Sequence, residues 1–119
     1  MSDPPFHSLN SDADWAEVRS RSEEEPVLLF KHSSACPVSG SAKEEMHTLA
    51  VNEDVPVYKL VVQESRALSD EIADTLDVRH ETPQVILLDQ KEAVFDTSHF
   101  DVTTDTIQEA VQSTTRSTD

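Results

Sequence analysis

The sequence predicts an α/β fold, a three-layer sandwich in which a four-stranded mixed sheet is flanked by helices. Three observations carry this expectation. The runs Val27-Leu28-Leu29-Phe30 and Val85-Ile86-Leu87-Leu88 suit strands covered on both faces. Apolar stripes at helical spacing alternate with such runs along the chain. The length of 119 residues admits one domain and hardly a second, and a domain of that size can bury a core without staples.

Each element has its own justification. Residues 11–24 read as a helix capped by Ser11 or Asp12, with Trp15 and Val18 on one face and Pro26 ending it. Val27-Leu28-Leu29-Phe30 is the first strand, and residues 31–35 form a polar loop. A second helix, from about Cys36 or Pro37 to Val51, places Ala42, Met46, Leu49 and Ala50 at i, i+4, i+7 and i+8. Residues 56–62 are the next strand, with Val57, Leu60, Val61 and Val62. Residues 65–76 form a third helix, with Leu68, Ile72 and Leu76 on one stripe. A loop, residues 77–83, leads into Val85-Ile86-Leu87-Leu88. Asp89-Gln90-Lys91-Glu92 is a polar turn without glycine, which predicts a loose hairpin into the short strand Ala93-Val94-Phe95. Thr103 or Thr104 caps a last helix carrying Ile107, Ala110 and Val111.

The order is α-β-α-β-α-β-β-α. Its two helical crossovers imply parallel pairing, and the final hairpin adds an antiparallel edge. A β-α-β unit followed by β-β-α is the thioredoxin arrangement. The domain spans residues 11–112. Residues 1–10 and 113–119, polar and without an apolar period, are expected to be flexible ends.

The charge narrows the function. There are 24 acidic residues against 9 basic ones, a formal net charge of -15, and the acids spread from Asp3 to Asp119. Such a surface repels nucleic acid and anionic membranes, so neither is an expected partner. The excess has two readings: a halophilic protein that stays soluble at high salt, or a merely acidic cytosolic one. No run approaches the ~18–20 apolar residues of a membrane span. Residues 1–10 lack the basic start and apolar run of a secretory signal, so a cytoplasmic location is expected. The single cysteine excludes an internal disulfide and a Cys-x-x-Cys pair.

That cysteine stands in the most informative segment, Phe30-Lys31-His32-Ser33-Ser34-Ala35-Cys36-Pro37-Val38-Ser39. A strand ends, a short loop follows, and Cys36 opens a helix. Proline is favoured at the first helical position, so Pro37 places Cys36 near the N-cap. The first-turn N–H groups, at about Val38 and Ser39, then face the sulfur, and the helix dipole favours the thiolate. Lys31 and His32 add positive charge to the same loop, and no acid lies between Lys31 and Ala42. A buried structural cysteine would instead sit within an apolar period. Ser39 cannot act as a resolving thiol, so exchange through Cys36 needs an external one. Its hydroxyl either donates to the thiolate or serves the helix's first turn. A metal site is not expected: His32 and Cys36 span a loop-to-helix junction and lack two further obvious ligands.

A second segment, Val78-Arg79-His80-Glu81-Thr82-Pro83-Gln84, precedes a buried strand. A cis Thr82–Pro83 bond would leave the Thr82 backbone open to pair with an extended substrate. His80 and Glu81 would share a rim with Cys36, or form a solvated loop pair. Gln63-Glu64-Ser65-Arg66 either lines the site's edge or caps the next helix, and His47 and His99 read as surface or core-edge residues.

Together these segments resemble the YtxJ-like family, the monothiol bacilliredoxins of the bacillithiol system, within the thioredoxin-like superfamily. The matching pieces are Leu29-Phe30-Lys31-His32-Ser33 running into Cys36-Pro37-Val38-Ser39, then Val61-Val62-Gln63-Glu64-Ser65-Arg66, Ser69-Asp70-Glu71-Ile72-Ala73 and Val78-Arg79-His80-Glu81-Thr82-Pro83-Gln84. Ser98-His99 also fits, and the likeness covers about residues 10–112. The resemblance implies a thioredoxin-like fold, a Cys-Pro-x-Ser site with Cys36 as nucleophile, and a cis bond at Pro83. The residue before the cysteine is Ala35, where a small polar residue is expected. The implied function is removal of bacillithiol, or a similar low-molecular-weight thiol, from protein mixed disulfides. The partners are then thiolated client proteins and that thiol, which is a co-substrate; no metal or other cofactor is expected. The alternative is a non-catalytic binding or redox-sensing module. A cluster-sharing glutaredoxin reading lacks its Cys-Gly-Phe-Ser pattern.

Overall fold

The computed structural model describes residues 6–33, 43–48, 55–98 and 102–117. In chain order these form β1 (Phe6–Ser8), α1 (Asp12–Ser22), β2 (Val27–His32), a helical segment α2 at residues 43–48, β3 (Val57–Val61), α3 (Arg66–Leu76), β4 (Gln84–Asp89), β5 (Glu92–Ser98) and α4 (Thr104–Ser117).

Local signals account for most boundaries. Of the two candidate caps for α1, Ser11 is the one used: its backbone is extended and its Oγ accepts from the Asp14 N–H at 3.1 Å. Asp12 and Asp14 lie in the first turn and Arg19 and Arg21 in the last, matching the helix dipole. The helix closes at Ser22, two residues earlier than expected, because Glu24 and Glu25 both donate to the Arg21 carbonyl in a terminal turn before Pro26. α3 ends at Asp77, held left-handed at φ 56°, while the Val78 N–H returns to the Ala73 carbonyl at 3.0 Å. Thr103 caps α4, its Oγ1 accepting from the Thr106 N–H at 3.3 Å.

The sheet has five strands in the order β1-β3-β2-β4-β5. β3 is parallel to both β1 and β2, whereas β4 runs antiparallel to β2 and to β5. Three expectations change here. The first is the strand count, because residues 6–8, expected to be flexible, form an edge strand on β3. Phe6-His7-Ser8 has no strand signature of its own. It is ordered by the open backbone edge of β3, by the Phe6 ring 6.0 Å from Phe30, and by Leu9, which is buried. The second is the direction of β4. An 11-residue helix rises only about 16 Å, so the loop of residues 77–83 can retrace it and return the chain to the end it left. The third is the C-terminal boundary: α4 continues to Ser117, past the expected start of the tail.

The sheet is covered on both faces. One layer joins Trp15 and Val18 of α1 and Leu68 and Ile72 of α3 to Val27, Leu29, Leu60 and Ile86. The other joins Met46 of α2 and Ile107 and Val111 of α4 to Leu28, Phe30, Val85 and Leu87. Alternate residues of β2 and β4 therefore serve opposite cores, which is why both strands read as continuous apolar runs. Each fully buried Leu, Ile or Val contributes about 1.5–3 kcal/mol.

The β4–β5 connection is tight rather than loose. Asp89 pairs with Glu92, so only Gln90 and Lys91 turn the chain, at φ 54° and 66°. Two positive φ values are the type I′ geometry, usually supplied by Asn-Gly. Here α1 supplies the support. The Gln90 N–H donates to the Ser22 carbonyl at 2.8 Å, the Gln90 amide to the Glu23 carbonyl at 2.9 Å, and the Lys91 N–H to Ser22 Oγ at 3.0 Å. Among the described residues, no helix is long and apolar enough to cross a membrane.

Candidate functional site

β2 is the strand that leads into the cysteine segment, and it ends at His32, four residues before Cys36. Cys36, Pro37, Val38 and Ser39 themselves lie outside the described residues. Lys31 of β2 pairs with Gln84 of β4, so the bond before Pro83 lies at the end of the sheet where β2 leaves it. That Thr82–Pro83 bond is cis. Pro83 is buried and Thr82 half-buried. On the β3 side, the Gln63 amide donates to Ser33 Oγ at 2.7 Å, tying the loop after β3 to the end of β2.

Lys31 and His32 take opposite faces, as successive strand residues must. Lys31 follows Val27 and Leu29 in the layer under α3 and is only 1% exposed. Its Nζ donates to the Ser69 carbonyl at 3.1 Å and lies 3.4 Å from Nδ1 of His80. Ser69 Oγ lies 3.2 Å from the same ring nitrogen. His32 is buried in the other layer, its ring 5.7 Å from that of Phe30.

Burial pushes the Lys31 ammonium down to about 8, against the opposing pull of Asp70. His80 is lowered too, first by burial and then by the charges of Lys31 and Arg66, with Asp70 and Glu81 acting the other way. The rest of the rim is held by hydrogen bonds. The Gln84 amide donates to the Arg79 carbonyl at 2.7 Å, and Ser98 Oγ donates to Glu81 at 3.4 Å. His80 and Arg79 also line an open groove of about 620 Å³ along α3, with Asp70, Asp74 and Val78. Among the described residues, no group of three His, Cys, Asp or Glu side chains is placed to hold a metal ion.

The family model of the monothiol bacilliredoxin BrxC matches residues 7–107. The chain belongs to the monothiol bacilliredoxin family. A solved protein with a thioredoxin fold is 32% identical, with a TM-score of 0.80, over 88% of this chain and 92% of that one. A point-mutant thioredoxin from Halobacterium salinarum NRC-1 superposes with a TM-score of 0.74 at 22% identity, covering 95% of this chain and 94% of that one. Thioredoxin f from spinach chloroplast, short form, gives 0.74 at 22% identity, covering 95% and 97%. The fold is therefore thioredoxin-like, and the family and fold support thiol–disulfide redox chemistry.

Within this bacilliredoxin, Lys31, His80, Thr82 and Pro83 gather at one end of the sheet, while His32 is turned to the opposite layer. Ser69 and Gln84 have side-chain roles that sequence reasoning did not assign. The period of β2 carried a signal for Ser69's partner: a residue two beyond Leu29 must enter the α3 layer. Nothing local marked Ser69 itself. His47, at the exposed end of α2, meets Phe6 edge-on at 6.3 Å, consistent with a core-edge residue.

Proposed function

We propose that this bacilliredoxin removes bacillithiol, or a similar low-molecular-weight thiol, from protein mixed disulfides through Cys36. The Cys36 thiolate attacks the sulfur of the small thiol in the client mixed disulfide. A new S–S bond joins Cys36 to the small thiol as the client S–S bond breaks, and the client leaves as a thiolate that takes a proton from water. A second molecule of the small thiol, as thiolate, then attacks the small-thiol sulfur on Cys36. It leaves as the symmetrical disulfide and regenerates the Cys36 thiolate. The client sulfur is reduced as the one incoming small thiol is oxidised, the other staying at the disulfide level throughout, so electrons balance without a further cofactor.

The observation that carries this reading is the family match over residues 7–107, together with the Lys31–Gln84 pairing that sets Thr82 and Pro83 at the end of the sheet toward which β2 runs. Thr82 would pair its backbone with the extended client. Pro37 would set the helix start, and the Val38 and Ser39 N–H groups would favour the thiolate. Clients are thiolated proteins, and the compartment proposed is the cytoplasm.

The test incubates reduced protein with a bacillithiolated client and follows both by mass spectrometry. Client release with transfer of the small thiol to Cys36 is expected, and none with Cys36→Ser. Wild type and Cys36→Ser behaving alike would leave a binding or sensing module instead. Thiol titration by absorbance or alkylation rate should place Cys36 below the free-thiol range of about 8.5.

A further inference from the structure

We propose that Lys31 and Ser69 hold the His80 ring as a hydrogen-bond donor on the rim beside Thr82–Pro83, where its Nε2–H binds an acceptor atom of the disulfide-bearing ligand. Lys31 and Ser69 are then positioning residues and His80 a binding residue. The inference rests on the exchange reading above and adds a specific ligand contact to it.

The argument begins with donor counting. A lysine ammonium has three donors and no acceptor. One donor reaches the Ser69 carbonyl at 3.1 Å, and the next acceptor in reach is His80 Nδ1 at 3.4 Å. Nδ1 must therefore present its lone pair inward, with Ser69 Oγ also 3.2 Å away. A neutral imidazole that accepts at Nδ1 carries its proton at Nε2. Both contacts of the ring are made by Nδ1, and among the described residues nothing bonds Nε2. His80 is half-buried and borders the open groove along α3. It lies three residues before Pro83 in the same loop.

The charges around the ring favour its neutral form. Lys31 faces it from β2, Arg66 and Asp70 from α3, and Glu81 from its own loop. Burial and the two cations outweigh the two carboxylates, so the ring stays neutral near pH 7. An apolar residue at position 31 would continue the Val27–Leu29 row without burying a charge. The buried ammonium thus buys orientation of the ring at a cost in packing energy.

Two measurements test this. Imidazole nitrogen spectra of wild type and Lys31→Met, recorded from about pH 5 to 9, report tautomer and titration directly. Wild-type His80 is expected as the Nε2–H form, titrating below the ordinary histidine range. In K31M its titration should move up and the two tautomers should mix. Identical spectra for the two proteins overturn the proposal. The second measurement is steady-state exchange with a bacillithiolated peptide as probe. His80→Phe removes the donor, and loss of one hydrogen bond raises KM about five- to tenfold with kcat within about twofold. His80→Gln keeps an N–H at the ε position and should stay within about twofold of wild type in KM. An H80F KM equal to that of an active wild type sinks the rim donor alone. A wild type that exchanges nothing sinks the exchange reading, and the ligand contact with it.

Discussion

The two ends of the central sheet bury polar groups in different ways. At the hairpin end, Ser22 is fully buried, donates to the Arg19 carbonyl at 2.7 Å and accepts from the Lys91 N–H at 3.0 Å. The hydroxyl links α1 to the turn and supports a hairpin that has no glycine. At the other end, Lys31 carries an ammonium into the layer under α3, with a carbonyl and an imidazole as its partners. The first arrangement stabilises the fold, whereas the second costs stability and orients a titratable ring. A buried cation beside the loop before Pro83 costs what an apolar residue in the same row would not.

The largest difference should appear in the pH dependence of stability. The Lys31 ammonium is lowered to about 8 in the fold and returns to its ordinary range on unfolding. Between those values the unfolded chain holds more protons, so stability rises with pH there and is lost as pH falls through about 8. The expected gain is on the order of 2 kcal/mol from pH 8 to 10, absent in K31M, measured by denaturant unfolding. Equal slopes in both proteins would mean that this end is as inert as the other.

The next effect belongs to the hairpin. Ser22→Ala leaves the Lys91 N–H without its acceptor and should cost about 1–2 kcal/mol, with exchange kinetics unchanged. Lys91→Gly should instead stabilise by about 0.5–1 kcal/mol, because a φ of 66° strains any residue with a Cβ. Thermal unfolding reads both, and a loss on Lys91→Gly would show that side-chain contacts outweigh backbone strain. The smallest effect is expected from Glu23→Gln. Its 3.7 Å pair with Lys91 is half exposed on both sides and should contribute under about 0.5 kcal/mol.

The same contrast explains what was readable in advance. β2 and β4 each carry four successive apolar residues shared between the two cores, so these runs identified them without any tertiary knowledge. The stripe Leu68, Ile72, Leu76 likewise located α3, since Leu68 and Ile72 are buried and Leu76 packs beside them. At the site end, Lys31 and His32 are expected in the loop after β2, but the strand runs on to His32 and its period sends Lys31 under α3 to Ser69 and His80, 38 and 49 residues away. The cis bond came from family resemblance, because a lone proline rarely implies one. The hairpin was misread because its signal, the absence of glycine, is local, while its support comes from α1, 67 and 69 residues earlier.

By itself, then, the chain determined α1, α3 and α4, its two apolar strands, its acidic composition and the solitary thiol next to Pro37, because period, charge and capping act over a few residues. The tertiary structure decided the rest. It made Phe6–Ser8 a strand, since an edge exists only once β3 is in place. It reversed β4 relative to β2, since the return of a loop depends on where α3 docks. It joined Lys31 to His80, since a buried ammonium takes whichever acceptors the folded chain brings within reach.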